Sequence, residues 1–416
     1  MTVTMHIKKP ELLSPVGSFE SLHAAIRGGA DAIYFGVEQL NMRTKSVPTI
    51  TITDIAEVAQ VAKNNNIRAY LTLNTVMYDY DMQLVQKIVQ EAKDQGIHAI
   101  IASDYAVFEI CKRVGIPLHI STQANVTNVD SVGFFSHLAD VIVLSRELTI
   151  SQVKHITSEI KRRDIRGISG DFMRIETFVH GALCMAVSGK CYLSLHEKNA
   201  SANRGACVQN CRRPYQVVDL ETGNELLIDN EYIMSPKDLC TIGFLDEMID
   251  AGIEVFKIEG RSKSAEYVYT TTKCYREAID AVLDGTFSED KVNVWMQELD
   301  KVYNRGFWDG YFMGRKLGEW TKNPGSIAKE KKVYLAKCTR YYPKIKVAEF
   351  LIENGAMKVG DELMVIGRNT GSDKITLDSL IVNGSPAPIA EKGDKITFPF
   401  DLTLKANDKL YKVLAE

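Results

Sequence analysis

The segment from Glu176 to Cys211, ETFVHGALCMAVSGKCYLSLHEKNASANRGACVQNC, carries four of the eight cysteines in the chain. Cys184, Cys191, Cys207 and Cys211 are separated by six, fifteen and three residues. Thiolate binds soft metals. Gly181, Gly189 and Gly205 let the backbone turn sharply and approach a bulky group. Arg204, Arg212 and Arg213 put positive charge around the sulfurs, which favours the thiolate form. Lone cysteines are often small buried hydrophobes, and that description suits Cys111 and Cys274 in their apolar helical patterns. Four cysteines crowded into a polar, glycine-rich stretch point to a metal instead. Two disulfides would need an oxidising compartment, of which nothing else gives a sign. Structural zinc sites use two close pairs, and only Cys207 and Cys211 come near that spacing. An iron–sulfur cluster takes four thiolates at wider spacing. The spacing therefore leaves the metal open between iron–sulfur and zinc.

A second set of chemically capable residues lies at the ends of apolar runs. Lys257, Glu259 and Arg261 share one parity and face one side of a strand, as a paired charge row or as an anion clamp. Arg43 and Arg146 sit just beyond other strand ends, where a guanidinium can hold a carboxylate with two parallel bonds. Glu176 and His180 are four apart on one strand, so they are expected on the same side. They form either a packed, hydrogen-bonded pair or an acid–base pair. Glu176, His180 and Glu259 are the candidate catalytic groups. His196-Glu197 lacks the second histidine of a zinc-protease motif, and the sequence has neither a serine nucleophile elbow nor a phosphate-binding glycine loop.

These residues need a scaffold, and the pattern supplies one. Short runs rich in Ile, Val, Leu, Phe and Tyr alternate with amphipathic helical stretches from Glu11 to about Gly285. The expected strands are Glu11–Val16, Ala32–Val37, Arg68–Thr75, Ala99–Ser103, Pro117–Thr122, Asp140–Ser145, Ile175–Leu183 and Glu254–Glu259. Helices are expected at Phe19–Arg27, Asp54–Asn64, Asp81–Gln95, Tyr105–Val114, Val129–His137, Ile150–Arg163 and Ser264–Leu283. Ser235-Pro236 reads as the start of a further helix reaching Ala251. Eight strand–helix units predict an α/β fold, a TIM-type (β/α)8 barrel, with a doubly wound open sheet as the rival. A barrel carries its chemistry at the carboxyl ends of its strands, where the candidates above fall. The cysteine excursion, roughly residues 184–233, is far longer than an ordinary strand–helix connection.

The barrel domain is expected over residues 1–325, with Asn323-Pro324-Gly325 as a linker. Residues 326–416 read as a small C-terminal all-β barrel domain of short alternating strands, with Asn354-Gly355 and Asn383-Gly384 at turns. Lys337, Arg340 and Lys344, among other lysines and Tyr334, Tyr341 and Tyr342, form either a nucleic-acid surface or a solvated strand face with lysines guarding an edge. The aromatic, glycine-rich run Asn304–Gly314 packs against or lines something. The 416 residues carry a formal net charge of -3, with 45% hydrophobic and 25% charged residues. That balance is ordinary for a soluble protein and argues neither for nor against a nucleic-acid partner. No run is long enough to span a membrane, and MTVTMHIKKPELL has no apolar signal core. The expected location is cytoplasmic, with reduced thiols. The oligomeric state is left open.

The runs ETFVHGALC, SGKCYLS and NRGACVQNCR resemble the signature of peptidase family U32, the collagenase-like peptidases. ELLSPVG at Glu11, AIYFG at Ala32, FKIEGR at Phe256 and NRGFWDGY at Asn304 extend the resemblance over most of the chain. Relatives of that kind act in hydroxylation of a transfer-RNA wobble uridine, a ribosomal-RNA cytidine or the ubiquinone ring. The resemblance implies an RNA-modifying hydroxylase acting on transfer RNA. It implies a [4Fe–4S] cluster on Cys184, Cys191, Cys207 and either Cys211 or Cys240. It also implies a carboxylate co-substrate such as prephenate, held by Arg43, Arg146 and Arg261. It turns the basic patch on the β domain toward RNA. The family label leaves a peptidase as an alternative, and a non-catalytic RNA- or partner-binding scaffold is another.

Overall fold

The structure is a computed structural model describing residues 9–43, 50–216, 220–221, 232–314, 318–323 and 325–416. The first element, strand β1 (Glu11–Pro15), is buried throughout and is followed by helix α1 (Phe19–Arg27), whose start Ser18 caps. The alternation continues through β2 (Ala32–Phe35), α2 (Ile55–Asn64), β3 (Arg68–Leu73), α3 (Met82–Asp94) and β4 (Ala99–Ala102). Then come α4 (Tyr105–Val114), β5 (Leu118–Ile120), α5 (Val129–Ser136), β6 (Val141–Val143), α6 (Ile150–Arg162) and β7 (Arg174–Ala182). Asp104, Asn128 and Thr149 cap α4, α5 and α6 by accepting from backbone N–H groups of the first turn, which stabilises each helix start by about 1 kcal/mol.

Beyond β7 lie the short helix α7 (Leu193–Lys198), β8 (Asp238–Cys240), α8 (Leu245–Asp250), β9 (Val255–Ile258), α9 (Ala265–Leu283), α10 (Glu289–Lys301) and β10 (Phe307–Trp308). Strands β1 to β7 pair in sequence order and in parallel. β9 pairs in parallel with both β7 and β1, closing an eight-stranded (β/α)8 barrel. All eight expected strands are present, because strands buried on both faces are continuous apolar runs.

The expected helix from Pro236 does not form there. Residues 238–240 are instead β8, which runs antiparallel to the overhanging end of β7, with Ala182 opposite Asp238 and His180 opposite Cys240. β10 pairs in parallel with β8 on its other edge. Tertiary pairing overrides the Ser-Pro start signal, and the helix begins later, at Leu245.

Inside the barrel, a band of Leu13, Tyr34, Tyr70, Ile101, Val141 and Val255 fills the middle. At the amino-terminal end of the strands, Glu11 accepts from Tyr70 Oη at 2.7 Å and from Arg174 at 2.8 Å, and pairs with Arg68 at 2.9 Å. This end is closed by ion pairing. The other end stays open.

The remainder is antiparallel β: β11 (Glu330–Tyr342), β12 (Val347–Ile352), β13 (Ala356–Lys358), β14 (Glu362–Gly367), β15 (Gly371–Thr376), β16 (Ile381–Val382), β17 (Ser385–Pro386), β18 (Ile389–Glu391), β19 (Lys395–Pro399) and β20 (Lys409–Ala415). These strands surround their own core of Leu335, Phe350, Val365, Ile396, Phe398 and Leu410. Asn383 and Gly384, both at positive φ, make the two-residue turn between β16 and β17. Arg27 of α1 donates to the carbonyls of Thr370 and Ser372 at 3.2 and 2.7 Å and to Asp373 at 2.5 Å, tying this region to the barrel's outer helices. Of the expected linker, Pro324 lies outside the described residues. Just before it, Thr321 N–H donates to the Ser235 carbonyl on the barrel. Among the described residues no helix is long and apolar enough to cross a membrane.

Candidate active site

The open end of the barrel holds a pocket with about 180 Å³ of space that the centre of a water molecule can reach. Arg43, Arg146, Lys257, Glu259, Arg261 and all four excursion cysteines line it. Glu259 follows β9. Its carboxylate accepts from Arg43 Nη2 at 2.6 Å. Burial pushes the Glu259 carboxyl up, but the charges of Arg43, Arg146 and Arg261 overcome this and hold it at about 2. Arg261 Nη1 donates to Thr72 Oγ1 at 2.6 Å and to Asn41 Oδ1 at 3.1 Å. Arg146 lies over the Phe178 ring, 3.9 Å from its centroid, and donates to the Ala182 carbonyl at 3.1 Å. The Nε atoms of Arg43, Arg146 and Arg261 are buried and carry no hydrogen-bond partner. Each guanidinium is thus fixed from one side with donor capacity left over.

Lys257 stands over the Tyr34 ring at 4.5 Å and donates to Glu176 Oε1 at 2.7 Å. Glu176 is fully buried below the pocket and neutralises this lysine. The charged row of β9 therefore divides: Lys257 is paired inward, and Glu259 collects guanidinium groups at the mouth.

Cys184, Cys191, Cys207 and Cys211 come from the excursion that follows β7. Gly181 directs its start. At φ +104°, a conformation costly for other residues, it brings the chain so close to β9 that an added Cβ would lie 2.4 Å from the Glu259 carbonyl. Arg212 then pins the far end, donating to the Leu183 carbonyl at 2.6 Å and to Ser235 Oγ at 3.0 Å. Of the three arginines expected around the sulfurs, Arg212 alone lines the pocket. Arg204 pairs with Asp81 at 2.7 Å and Arg213 with Glu197 at 2.7 Å. Burial pushes the Cys191 thiol up. It does the same at Cys211, where Arg212 opposes it. The donor set at the pocket is all thiol, the ligand set of an iron–sulfur cluster. Among the described residues no three His, Cys, Asp or Glu side chains converge closely enough to hold one metal ion. Cys240 is not with the other four: it is buried on β8, its sulfur 3.7 Å from Met296 Sδ and 3.8 Å from Tyr275 Oη.

His180 departs from its expected position. The register between β7 and β9 slips between Phe178 and His180. This bulge breaks the two-residue alternation, so Glu176 meets Lys257 while His180 points at helix α9. It packs against Tyr267 and Tyr275 of that helix and Phe307 of β10, with ring centroids 5.5 to 6.0 Å away. Burial lowers its pKa to about 3. The expected Glu176–His180 pair is not formed, and His180 does not reach the pocket.

Lys337, Arg340 and Lys344 lie apart from the mouth, on β11 and the turn after it. Lys337 pairs with Glu353 at 2.6 Å, and Arg340 sits over the Tyr342 ring at 5.0 Å. Lys329, Lys331, Lys332 and Lys346 each meet a carboxylate as well.

The sequence pattern did not single out Lys263 or Arg305, which also line the pocket. Lys263 lies over the Tyr303 ring. Its pKa is lowered to about 7, by burial first and then by the charge of Arg305. Its parity with Lys257, Glu259 and Arg261 was the available signal.

A closed barrel with a guanidinium-lined mouth, overhung by a cysteine-bearing excursion, defines the class. The chain belongs to peptidase family U32, whose family model matches residues 17–322. A protein named collagenase from Porphyromonas gingivalis is 48% identical over 98% of this chain and 99% of its own length. A transfer-RNA hydroxylation protein from Bacillus subtilis is 31% identical over 90% of this chain and 87% of its own. The Escherichia coli 23S ribosomal-RNA 5-hydroxycytidine synthase is 33% identical over 77% of this chain and 47% of its own length.

Proposed function

We propose that this protein is an RNA-modifying enzyme that hydroxylates a pyrimidine, the wobble uridine of a transfer RNA, with a prephenate-type carboxylate as co-substrate. The observation that carries the reading is one pocket lined both by three guanidinium groups, each held in place by its own partners, and by four thiols. Arg43, Arg146, Lys257 and Arg261, with Arg212, Lys263 and Arg305 also in the lining, outnumber the carboxylates Glu176 and Glu259, so the pocket has positive charge to spare for a dicarboxylate. Arg43 and Arg261, locked by Glu259, Asn41 and Thr72, would meet such a ligand already oriented. A [4Fe–4S] cluster on Cys184, Cys191, Cys207 and Cys211 would supply one-electron chemistry beside it. The named activities of the Bacillus and Escherichia relatives support this assignment.

The name of the Porphyromonas relative suggests a peptidase. Among the described residues that line the pocket there is no histidine to act as a base, and His180 is buried against Tyr267, Tyr275 and Phe307. The hydroxylase is therefore the reading we hold. It is tested by mass spectrometry of transfer-RNA nucleosides from cells lacking the gene. A nucleoside heavier by one oxygen should vanish and return on complementation. Unchanged nucleosides, together with Cys184-dependent peptide cleavage by the purified protein, would overturn it.

A further inference from the structure

A second cavity adjoins the first. Arg146, Leu183, Cys184, Val187 and Ser188 line both. The second has about 160 Å³ of water-reachable space, and its far wall is aromatic: Trp308, Tyr311 and Trp320. The Trp308 ring and the Trp320 backbone are both anchored. Trp308 Nε1 donates to the Lys237 carbonyl at 3.1 Å, and the backbone of Trp320 bridges to Pro236. Tyr311 meets Trp308 edge to face, with centroids 5.4 Å apart. Gly318 completes the cage. A Cβ built there would stand 3.6 Å from Trp320, 3.6 Å from the Tyr311 hydroxyl and 3.7 Å from Trp308. A larger side chain at this position would therefore occupy the space among the three rings.

The rest of the wall narrows the occupant. Its carboxylate is Glu147, which also accepts from Ser145 Oγ, and its cation is the shared Arg146. Aromatic faces bind planar rings by stacking, and every base has such a face. A carboxylate accepts from the imino N–H of uracil or the amino group of cytosine. RNA-modifying enzymes take an unstacked base out of a single-stranded region into a fitted pocket.

We propose that this cage is a nucleobase site. It receives a pyrimidine of single-stranded RNA among Trp308, Tyr311 and Trp320, with Glu147 reading the base edge, while the guanidinium pocket takes the carboxylate co-substrate. The proposal rests on the RNA reading above and adds a place for the base. Arg146 and Cys184, common to both cavities, stand where the two ligands come together.

The chain has three tryptophans, and two of them form the cage, so intrinsic fluorescence reports on it. The test is titration of the full-length protein with uridine and with a short oligouridylate, in a Trp295→Phe background that leaves Trp308 and Trp320 as the emitters. Quenching that saturates, and that weakens roughly ten-fold or more with Gly318→Val and with Glu147→Ala, is the expected result. Malonate binding at the guanidinium pocket, followed by calorimetry, should be retained in both variants and so reports that they are folded. No quenching by uridine or oligouridylate, or equal quenching in Gly318→Val, would overturn the cage. So would quenching by phenylalaninamide but not by uridine, the pattern expected of a peptide side-chain pocket. Cage binding with unchanged cellular nucleosides would instead sink the hydroxylase and leave the base site standing. Oxygen insertion that survives Gly318→Val would do the reverse.

Discussion

Arg43 and Glu259 meet at 2.6 Å across the barrel mouth, joining the loop after β2 to the end of β9. Burial opposes ionisation of Glu259, and three guanidinium groups reverse that, leaving its carboxyl at about 2. The folded pKa is below the ordinary one, so this group stabilises the fold above about pH 4.5, and its contribution is lost as pH falls toward 2. Glu259→Gln leaves Arg43, Arg146 and Arg261 uncompensated and should cost about 3–5 kcal/mol at pH 7. Urea unfolding between pH 7 and 3 should show a shallower acid limb in the variant. An unchanged limb would mean that Glu259 is not the group whose ionisation the fold uses.

Arg261 offers a planar fork held by Asn41 and Thr72, which an ammonium cannot reproduce. Arg261→Lys should abolish oxygen insertion in complemented cells while the thermal midpoint shifts by only a few degrees. Full modification by this variant would remove Arg261 from the carboxylate site.

Cys211 lines the pocket with the other three thiols, and Cys240 does not. Anaerobically isolated protein should carry about four iron atoms per chain. Cys211→Ser should lose most of that iron and its visible absorbance, whereas Cys240→Ser should keep both. Stoichiometric zinc with no iron in protein prepared under strict anaerobiosis would refute the cluster.

Lys263, with its pKa lowered to about 7 by burial and then by Arg305, adds a charge to the pocket that is present below neutrality and absent above it. Malonate affinity should fall as pH rises from 6 to 8. Lys263→Met should be weak and flat over that range. A wild-type profile without a step near pH 7 would show that Lys263 does not face the ligand.

In the β region, Lys337 is already neutralised by Glu353, while Arg340 and Lys344 are exposed. Changing Arg340 and Lys344 together to Ala should lower the slope of log K against log salt for transfer RNA by roughly two units. Lys337→Ala should change it less. If the slope stays constant in the double variant, the patch is a solvated strand face.

The barrel was legible because its strands are short, apolar and buried on both sides, so each announces itself without its neighbours. The four cysteines were legible as a group because a glycine-rich polar segment gives them no other use. What the sequence could not carry was pairing. β8 hides behind Ser235-Pro236 because only the overhang of β7 and the aromatic strand at Phe307 make residues 238–240 extended. His180 was misplaced because a bulge is a property of two strands: one strand read alone keeps strict alternation. The basic residues in and around β11 read as either a nucleic-acid surface or a solvated strand face, because the carboxylates that pair with them, Glu266, Glu353, Asp401 and Glu416, are distant in sequence. Lys263 was overlooked because its burial depends on Tyr303 and Arg305, which arrive some forty residues later.

The seam between barrel and sheet has a mechanical consequence. Gly371 sits at φ +73°, so tight against α1 that an added Cβ would be 2.7 Å from the Ala24 nitrogen. Main chain rests on main chain there, with no rotamers to yield, and Arg27 staples the same turn. A contact of that kind makes the sheet a fixed arm.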